Sequence, residues 1–318
     1  MLLNSKDIVQ VDVVDDYIKA GVSYAEKSLH YTFNRMGKSS YNRIRNIVKG
    51  VIMEEAFKGF LDSVDVEYDL LGATHWTKKD KYDVGINGSR CDVKGFFIGK
   101  HEHQQLIYKD PSWLLDCCAL VPSDQVNSVN LKENDIYVFP FLTGDTDEFS
   151  PNTFQFRDYY YLIHDFFDYK WIKNEGKPLG KIILQSFMQN EVKVRIGGLD
   201  MNKEIVIEEV VLKPLKSHQT SNVFQTALFL QTNEIPSGGI KVLCPKNVME
   251  HQIDQSAWGN VWIYNPKVFI TGWIYKGDFR EKSVEIPRYY KDCKQYSETR
   301  TINRKILVKE LQAIDKFL

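Results

Sequence analysis

Asn87-Gly88 constrains this chain more than any other pair of neighbours in it. The pair sits between Tyr82-Asp83-Val84-Gly85-Ile86 and Cys91-Asp92-Val93-Lys94-Gly95. Asn-Gly between alternating apolar runs is the strongest short-range signal for a two-residue hairpin turn of type I′. Counting outward from a turn at 87–88 sets Ile86 against Ser89, Gly85 against Arg90, Val84 against Cys91 and Asp83 against Asp92. Two carboxylates directly opposed on paired strands repel each other, so this register calls for a cation between them. The two-residue period of a strand puts Lys94 on the face of Asp92 and turns Cys91 and Val93 towards a core. The hairpin therefore predicts two carboxylates and one ammonium on a single patch.

Such a patch suits phosphodiester hydrolysis. Mg²⁺ is held by oxygen ligands, commonly one or two carboxylates together with waters and phosphate oxygens. A metal there polarises a phosphate and activates water, and a lysine beside it orients or deprotonates that water or stabilises the transition state.

Asp83, the eight-residue gap and Asp92-Val93-Lys94 resemble the PD-(D/E)xK nuclease superfamily, the fold of most type II restriction endonucleases. Tyr82 stands where the family usually has Pro. The family's helical glutamate is matched within Gly50-Val51-Ile52-Met53-Glu54-Glu55-Ala56-Phe57, followed by Phe60-Leu61. The spacing favours Glu54, with Glu55 the alternative. Phe269-Ile270-Thr271-Gly272-Trp273-Ile274, then Asp278-Phe279, looks like a late strand and turn of some members. The strong part covers residues 40 to 100. The resemblance implies an α/β fold: a restriction-endonuclease-like mixed sheet flanked by helices, here with an additional β-rich domain or insertion. It implies a Mg²⁺-dependent endodeoxyribonuclease of restriction type, for which Mn²⁺ can substitute, acting on double-stranded DNA. Asp83, Asp92 and Glu54 are then the metal ligands and Lys94 the catalytic lysine. Cutting both strands needs two active sites or two passes, which makes a homodimer the natural expectation. The rival expectation is a nucleic-acid-binding subunit of a defence or repair complex with conditional or absent nuclease activity.

The composition sets bounds. With 318 residues, one large or two modest domains are expected. Charged residues at 26% and hydrophobic residues at 43% are ordinary for a globular protein. No apolar stretch approaches a membrane span, and no basic-then-apolar leader is evident. Five irregularly spaced cysteines fit a reducing cytoplasm. A net charge of −1 gives no global basic field, so a DNA binder of this balance must segregate its charges.

Along the chain, Ser40 to Leu61 reads as a helix through Ile44, Ile47, Val48, Val51 and Ile52. Arg43, Arg45 and Lys49 on that helix could meet phosphates, a solvated face being the plainer account. Val64 to Leu71 and Asp135 to Leu142 read as strands, and Pro111 to Val121 as a buried helix. Helix, strand, hairpin, helix, strand is the order expected of the nuclease core, over residues 1–150. Residues 143–153 read as a loop, with Asp145, Asp147 and Glu148 only a faint calcium-loop echo. The aromatic run 154–171, including Tyr159, Tyr160, Tyr161, Phe166, Phe167, Tyr169 and Trp171, reads as a packed helix, with base stacking as the sharper alternative. Short β-rich runs from 181 to 245 suggest a recognition region within 151–260, with turns at Gly197-Gly198 and Ser237-Gly238-Gly239. It is inserted in the core if Val261 to Trp273 rejoins the nuclease sheet. The remainder, 261–318, reads as a late core strand and a C-terminal helix carrying Lys294, Arg300, Arg304, Lys305 and Lys309. His101-Glu102-His103 with Cys117-Cys118 lacks the spacing of a zinc site.

Overall fold

A computed structural model describes residues 3–28, 40–74, 81–127, 131–146, 159–166, 177–247 and 249–318. The chain divides into two compact units. One comprises Met1–Gly21, Val48–Asp145 and Tyr264–Leu318, and the other Val22–Ile47 and Thr146–Ile263. In order, the chain forms β1 (Val9–Asp12), α1 (Asp15–Ser28), α2 (Ser40–Ser63), β2 (Tyr68–Asp69), β3 (Val84–Ile86), β4 (Ser89–Val93), β5 (Phe96–Ile98) and α3 (His101–Lys109). It continues through β6 (Cys118–Pro122), α4 (Ser123–Val126) and β7 (Ile136–Asp145). The second unit adds β8 (Leu162–Asp165), β9 (Ile183–Ser186), β10 (Val192–Leu199), β11 (Ile205–Leu212), β12 (Ser217–Gln219), β13 (Thr226–Thr232), β14 (Ile240–Cys244), β15 (Met249–Ile253) and β16 (Gly259–Asn260). The first unit resumes with β17 (Tyr264–Tyr275), α5 (Lys276–Lys282), β18 (Val284–Ile286) and β19 (Asn303–Leu307).

The class is mixed α/β. The first unit is built on a seven-stranded sheet in the order β1-β17-β7-β4-β3-β2, with β5 also beside β7. Strands β2, β3 and β4 are successively antiparallel, and after α3 the chain returns in β7, parallel to β4. β7 is buried from Ile136 to Leu142 because strands flank it and both faces are covered. Pro140 lacks the amide that a central strand needs. Its partner strand β17 shifts register after Ile270, where Thr271 Oγ1 reaches the Phe139 carbonyl at 2.7 Å. β17 follows directly on the second unit, so Thr146–Ile263 runs between two adjacent strands of one sheet. No helix among the described residues is long and apolar enough to cross a membrane.

α2 buries Ile44, Val48, Ile52, Ala56 and Phe60 in one row and Met53, Phe57 and Leu61 in the next. Both rows follow the i, i+4 repeat of a helix packed on one side. The helix runs two residues past Leu61 and closes in a turn, with Val66 N–H bonded to the Leu61 carbonyl. The strand expected from Val64 is therefore reduced to Tyr68–Asp69.

Other expectations are corrected. Pro111 to Val121 is not one helix. A 3₁₀ turn, Pro111–Asp116, capped by Asp110, gives way to β6, whose partner is β19. A short apolar run does not separate buried helix from buried strand, and pairing with a distant segment decides it. The tail holds β18, β19 and short 3₁₀ turns in place of a C-terminal helix. The expected loop starts late, since β7 continues to Asp145, while Asp147 and Glu148 lie outside the described residues. Within the aromatic run, Leu162–Asp165 is strand, paired with β13 and β16, while 154–158 and 167–171 lie outside the described residues.

The second unit has a five-stranded sheet, β11-β10-β13-β8-β16, and a four-stranded one, β12-β9-β14-β15. Its core gathers Phe166, Leu184, Val194, Ile196, Phe224, Leu230, Val242 and Trp258. Gly197-Gly198 lies inside β10, not at a turn. A Cβ on Gly197 would come 2.2 Å from the Phe229 ring and one on Gly198 2.2 Å from the Thr226 carbonyl oxygen, so close approach is what these glycines allow.

Candidate active site

The hairpin forms in the expected register, with Ile86 against Ser89, Gly85 against Arg90 and Val84 against Cys91. Asn87 and Gly88 both take positive φ, 52° and 77°, as a type I′ turn requires. The register fails one residue further on. The Asp83 N–H donates to the Cys91 carbonyl at 2.9 Å, out of step with the 84/91 pair, in the manner of a β-bulge. Asp83 therefore does not face Asp92 as a strand partner. Its carboxylate turns across the hairpin and accepts the Val93 N–H at 2.6 Å.

Asp92 is the penultimate residue of β4, paired in parallel with Tyr137 of β7. Lys94 follows the strand end, where its N–H bonds the Val138 carbonyl at 2.7 Å. Its Nζ lies 2.6 Å from Asp92 Oδ1 and 2.6 Å from Oδ2, so Asp92 and Lys94 do share a face. A Cβ on Gly95 would stand 2.2 Å from Met53 Cε, so the absence of a side chain lets α2 approach the strand end beside Glu54.

The helix carboxylates take different roles. Glu55 is paired with Lys58 at 2.8 Å, one turn along α2. Burial pushes the Asp83 carboxyl well above the usual carboxylate range, and the charges of Glu54 and Asp92 add to the push. Lys94 and the Val93 amide pull the other way. Burial opposes the charge on Lys58, but its bond to Glu55 and the charges of Glu55, Glu54 and Asp83 outweigh it, so its pKa rises. Asp83, Asp92, Lys94 and Glu54 thus belong to one electrostatic cluster, with Glu54 rather than Glu55 acting on Asp83.

Sequence reasoning passed over Lys58 and Tyr137. Lys58 stands four residues after Glu54, a spacing that places both on one side of the helix. Tyr137 reads in sequence only as one apolar residue of a buried strand. Its hydroxyl is fully buried and finds no hydrogen-bond partner among the described residues, an arrangement that costs about 1–3 kcal/mol. Burial raises its phenol pKa, followed by the charges of Asp92 and Glu133.

The other basic candidates are engaged elsewhere. Arg43 is buried, Arg45 stands 5.2 Å from the centre of the Tyr41 ring, and Lys49 Nζ is 3.6 Å from that of Phe97. In the tail, Lys294 and Lys309 reach Asp116, Arg300 reaches Glu298, Arg304 reaches Ser283, and Lys305 reaches Tyr290.

Among the described residues no three His, Cys, Asp or Glu side chains form a group that could hold a metal ion. Mg²⁺ needs only one or two carboxylates. Asp83 and Asp92, with Lys94 as counter-charge, are the pair of carboxyls that such an ion would use, and Glu54 acts on Asp83 through its charge. Comparison with family models, with curated proteins and with solved structures returns no match.

Proposed function

We propose that this chain is a Mg²⁺-dependent DNA endonuclease of restriction type. One observation carries the reading: the bulged hairpin gathers Asp83, Asp92 and Lys94 at one strand end, within the electrostatic reach of Glu54. The order α2, β2, β3–β4, β5, α3, β6, α4, β7 supports it only in outline: a helix and a strand precede the hairpin, and α3, not the expected Pro111–Val121 helix, leads back towards β7 by way of β6 and α4. In this reading Asp83 and Asp92 hold the ion and Glu54 completes the set through the ion, a water or Lys94. A bound Mg²⁺ supplies polarisation of a phosphoryl oxygen and activation of water. Lys94 leaves Asp92, orients the attacking water and stabilises charge building on the phosphate. The second unit is the natural place for target recognition, since the hairpin reads no bases.

The test is incubation of the purified chain with plasmid and phage DNA and Mg²⁺. Discrete fragments identify a sequence-specific endonuclease, and smearing a nonspecific one. Asp92→Ala and Lys94→Ala should each lower cleavage by about 100-fold or more while DNA binding persists. Cleavage by purified Asp92→Ala protein at the wild-type rate would remove the assignment. The closed Lys94–Asp92 pair favours a second reading, a nucleic-acid-binding subunit whose nuclease is conditional. DNA binding without cutting by the lone chain is the outcome that selects it.

A further inference from the structure

Lys94 Nζ lies 2.6 Å from both oxygens of Asp92, and in the reading above it leaves them to orient water and attend a phosphate. When it leaves, Asp92 loses its hydrogen-bond donor, and a carboxylate that ligates an ion is itself normally hydrogen-bonded on its remaining valence. Among the described residues the Tyr137 hydroxyl is a buried donor without an acceptor. Tyr137 is paired in register with Asp92 across the β4/β7 ladder, and residues so paired present their side chains on the same face. The Lys94 Nζ stands 6.0 Å from the centre of the Tyr137 ring, which places that ring beside the ion pair. The ring is held by Phe279, edge-on at 5.5 Å, and by Phe139 at 6.3 Å.

We infer that Tyr137 is a positioning residue of the candidate site, whose hydroxyl takes over the Asp92 carboxylate when Lys94 is released. The inference rests on the metal-dependent reading above and adds a residue to it. A buried donor without an acceptor is a loss to the metal-free fold, so a role in the ligated state accounts for what packing does not. Phe at this position would fill the same space.

The experiment is a Mn²⁺ titration by calorimetry on the wild-type chain, Tyr137→Phe and Asp92→Ala, with thermal melts of each in chelator. Tyr137→Phe should melt no lower than wild type in chelator yet bind Mn²⁺ about 10- to 100-fold more weakly. In cleavage assays it should lower kcat and leave KM for DNA unchanged. A purely structural tyrosine would move the melt and not the Mn²⁺ affinity. Wild-type Mn²⁺ affinity in Tyr137→Phe, with binding lost in Asp92→Ala, overturns this inference and leaves the metal reading standing. Undiminished Mn²⁺ binding by Asp92→Ala, or none by the wild type, overturns both.

Discussion

Gly88 holds φ at 77° in open space, with nothing within 4 Å of where a Cβ would stand. Replacing it therefore tests backbone conformation alone. Gly88→Ala should lower stability by about 1 kcal/mol, the left-handed penalty partly offset by a less flexible unfolded chain. Denaturant melts measure this, and an unchanged midpoint would mean that the turn does not hold the hairpin. The turn is legible in sequence because its causes are local: two residues accept positive φ, and the flanking pattern sets the register. Asp83 is a different case. Whether a ladder ends or bulges depends on competition for the Cys91 carbonyl and the Val93 amide, which no spacing rule encodes. The residue types on the hairpin were therefore readable, while Lys58 and Tyr137 beside them were not. The direction in which Asp83 points, and the choice between Glu54 and Glu55, were not. That choice rests on the placement of α2 over Gly95 and on the partner Glu55 finds in Lys58.

Elements with internal periodicity were legible, and elements defined by a distant partner were not. α2 and β7 carry their burial in their own sequence. β6 exists because β19 pairs with it, and β19 in turn because β6 and β18 flank it. The same dependence shows in the last turn of α1. Glu26, 3% exposed, accepts from the Tyr161 hydroxyl and from Arg195 Nη1 at 3.1 Å and Nη2 at 3.3 Å. These partners lie on β10 and just before β8, all in the second unit. Nothing in the α1 sequence marks Glu26 as different from its neighbours. Glu26→Ala should cost about 2 kcal/mol, less than for a fully buried pair because Arg195 is a third exposed. The surface pair Lys193–Glu209, with both side chains about half exposed, supplies the contrast. Lys193→Ala should change stability by no more than about 0.5 kcal/mol. Equal effects in urea melts would show that the Glu26 network holds nothing.

For the whole molecule, pH combines buried groups of opposite sign. His164 bonds the Ala257 carbonyl through Nδ1 at 2.9 Å, and its Nε2 lies 3.1 Å from His251 Nε2. A carbonyl only accepts, so His164 Nδ1 carries the proton and Nε2 is the acceptor. Burial pushes the His164 pKa down to about 4 from an ordinary 6.5, the Ala257 bond opposing and His251 assisting. Above pH 6.5 the ring is neutral folded or unfolded and the contribution is complete. As pH falls below 6.5 the unfolded chain takes up a proton that the folded chain refuses, and stability is lost until about pH 4. Between pH 7 and 4.5 the loss is about 2–3 kcal/mol. Glu26 and Asp83 act in reverse. Burial raises both carboxyls, so the folded chain binds their protons more readily and acidification favours it. The raw stability profile is thus a sum whose slope identifies no single group. Burial lowers the His251 pKa as well, and the difference between wild type and His164→Gln reports this paired imidazole with its partner, because the carboxyl contributions cancel in it. Urea melts at several pH values from 7 to 4.5 should show the wild type losing stability faster than the variant by about that amount. Parallel profiles would mean that the His164 ring is protonated in the fold and that its bond to His251 is not the neutral pair described.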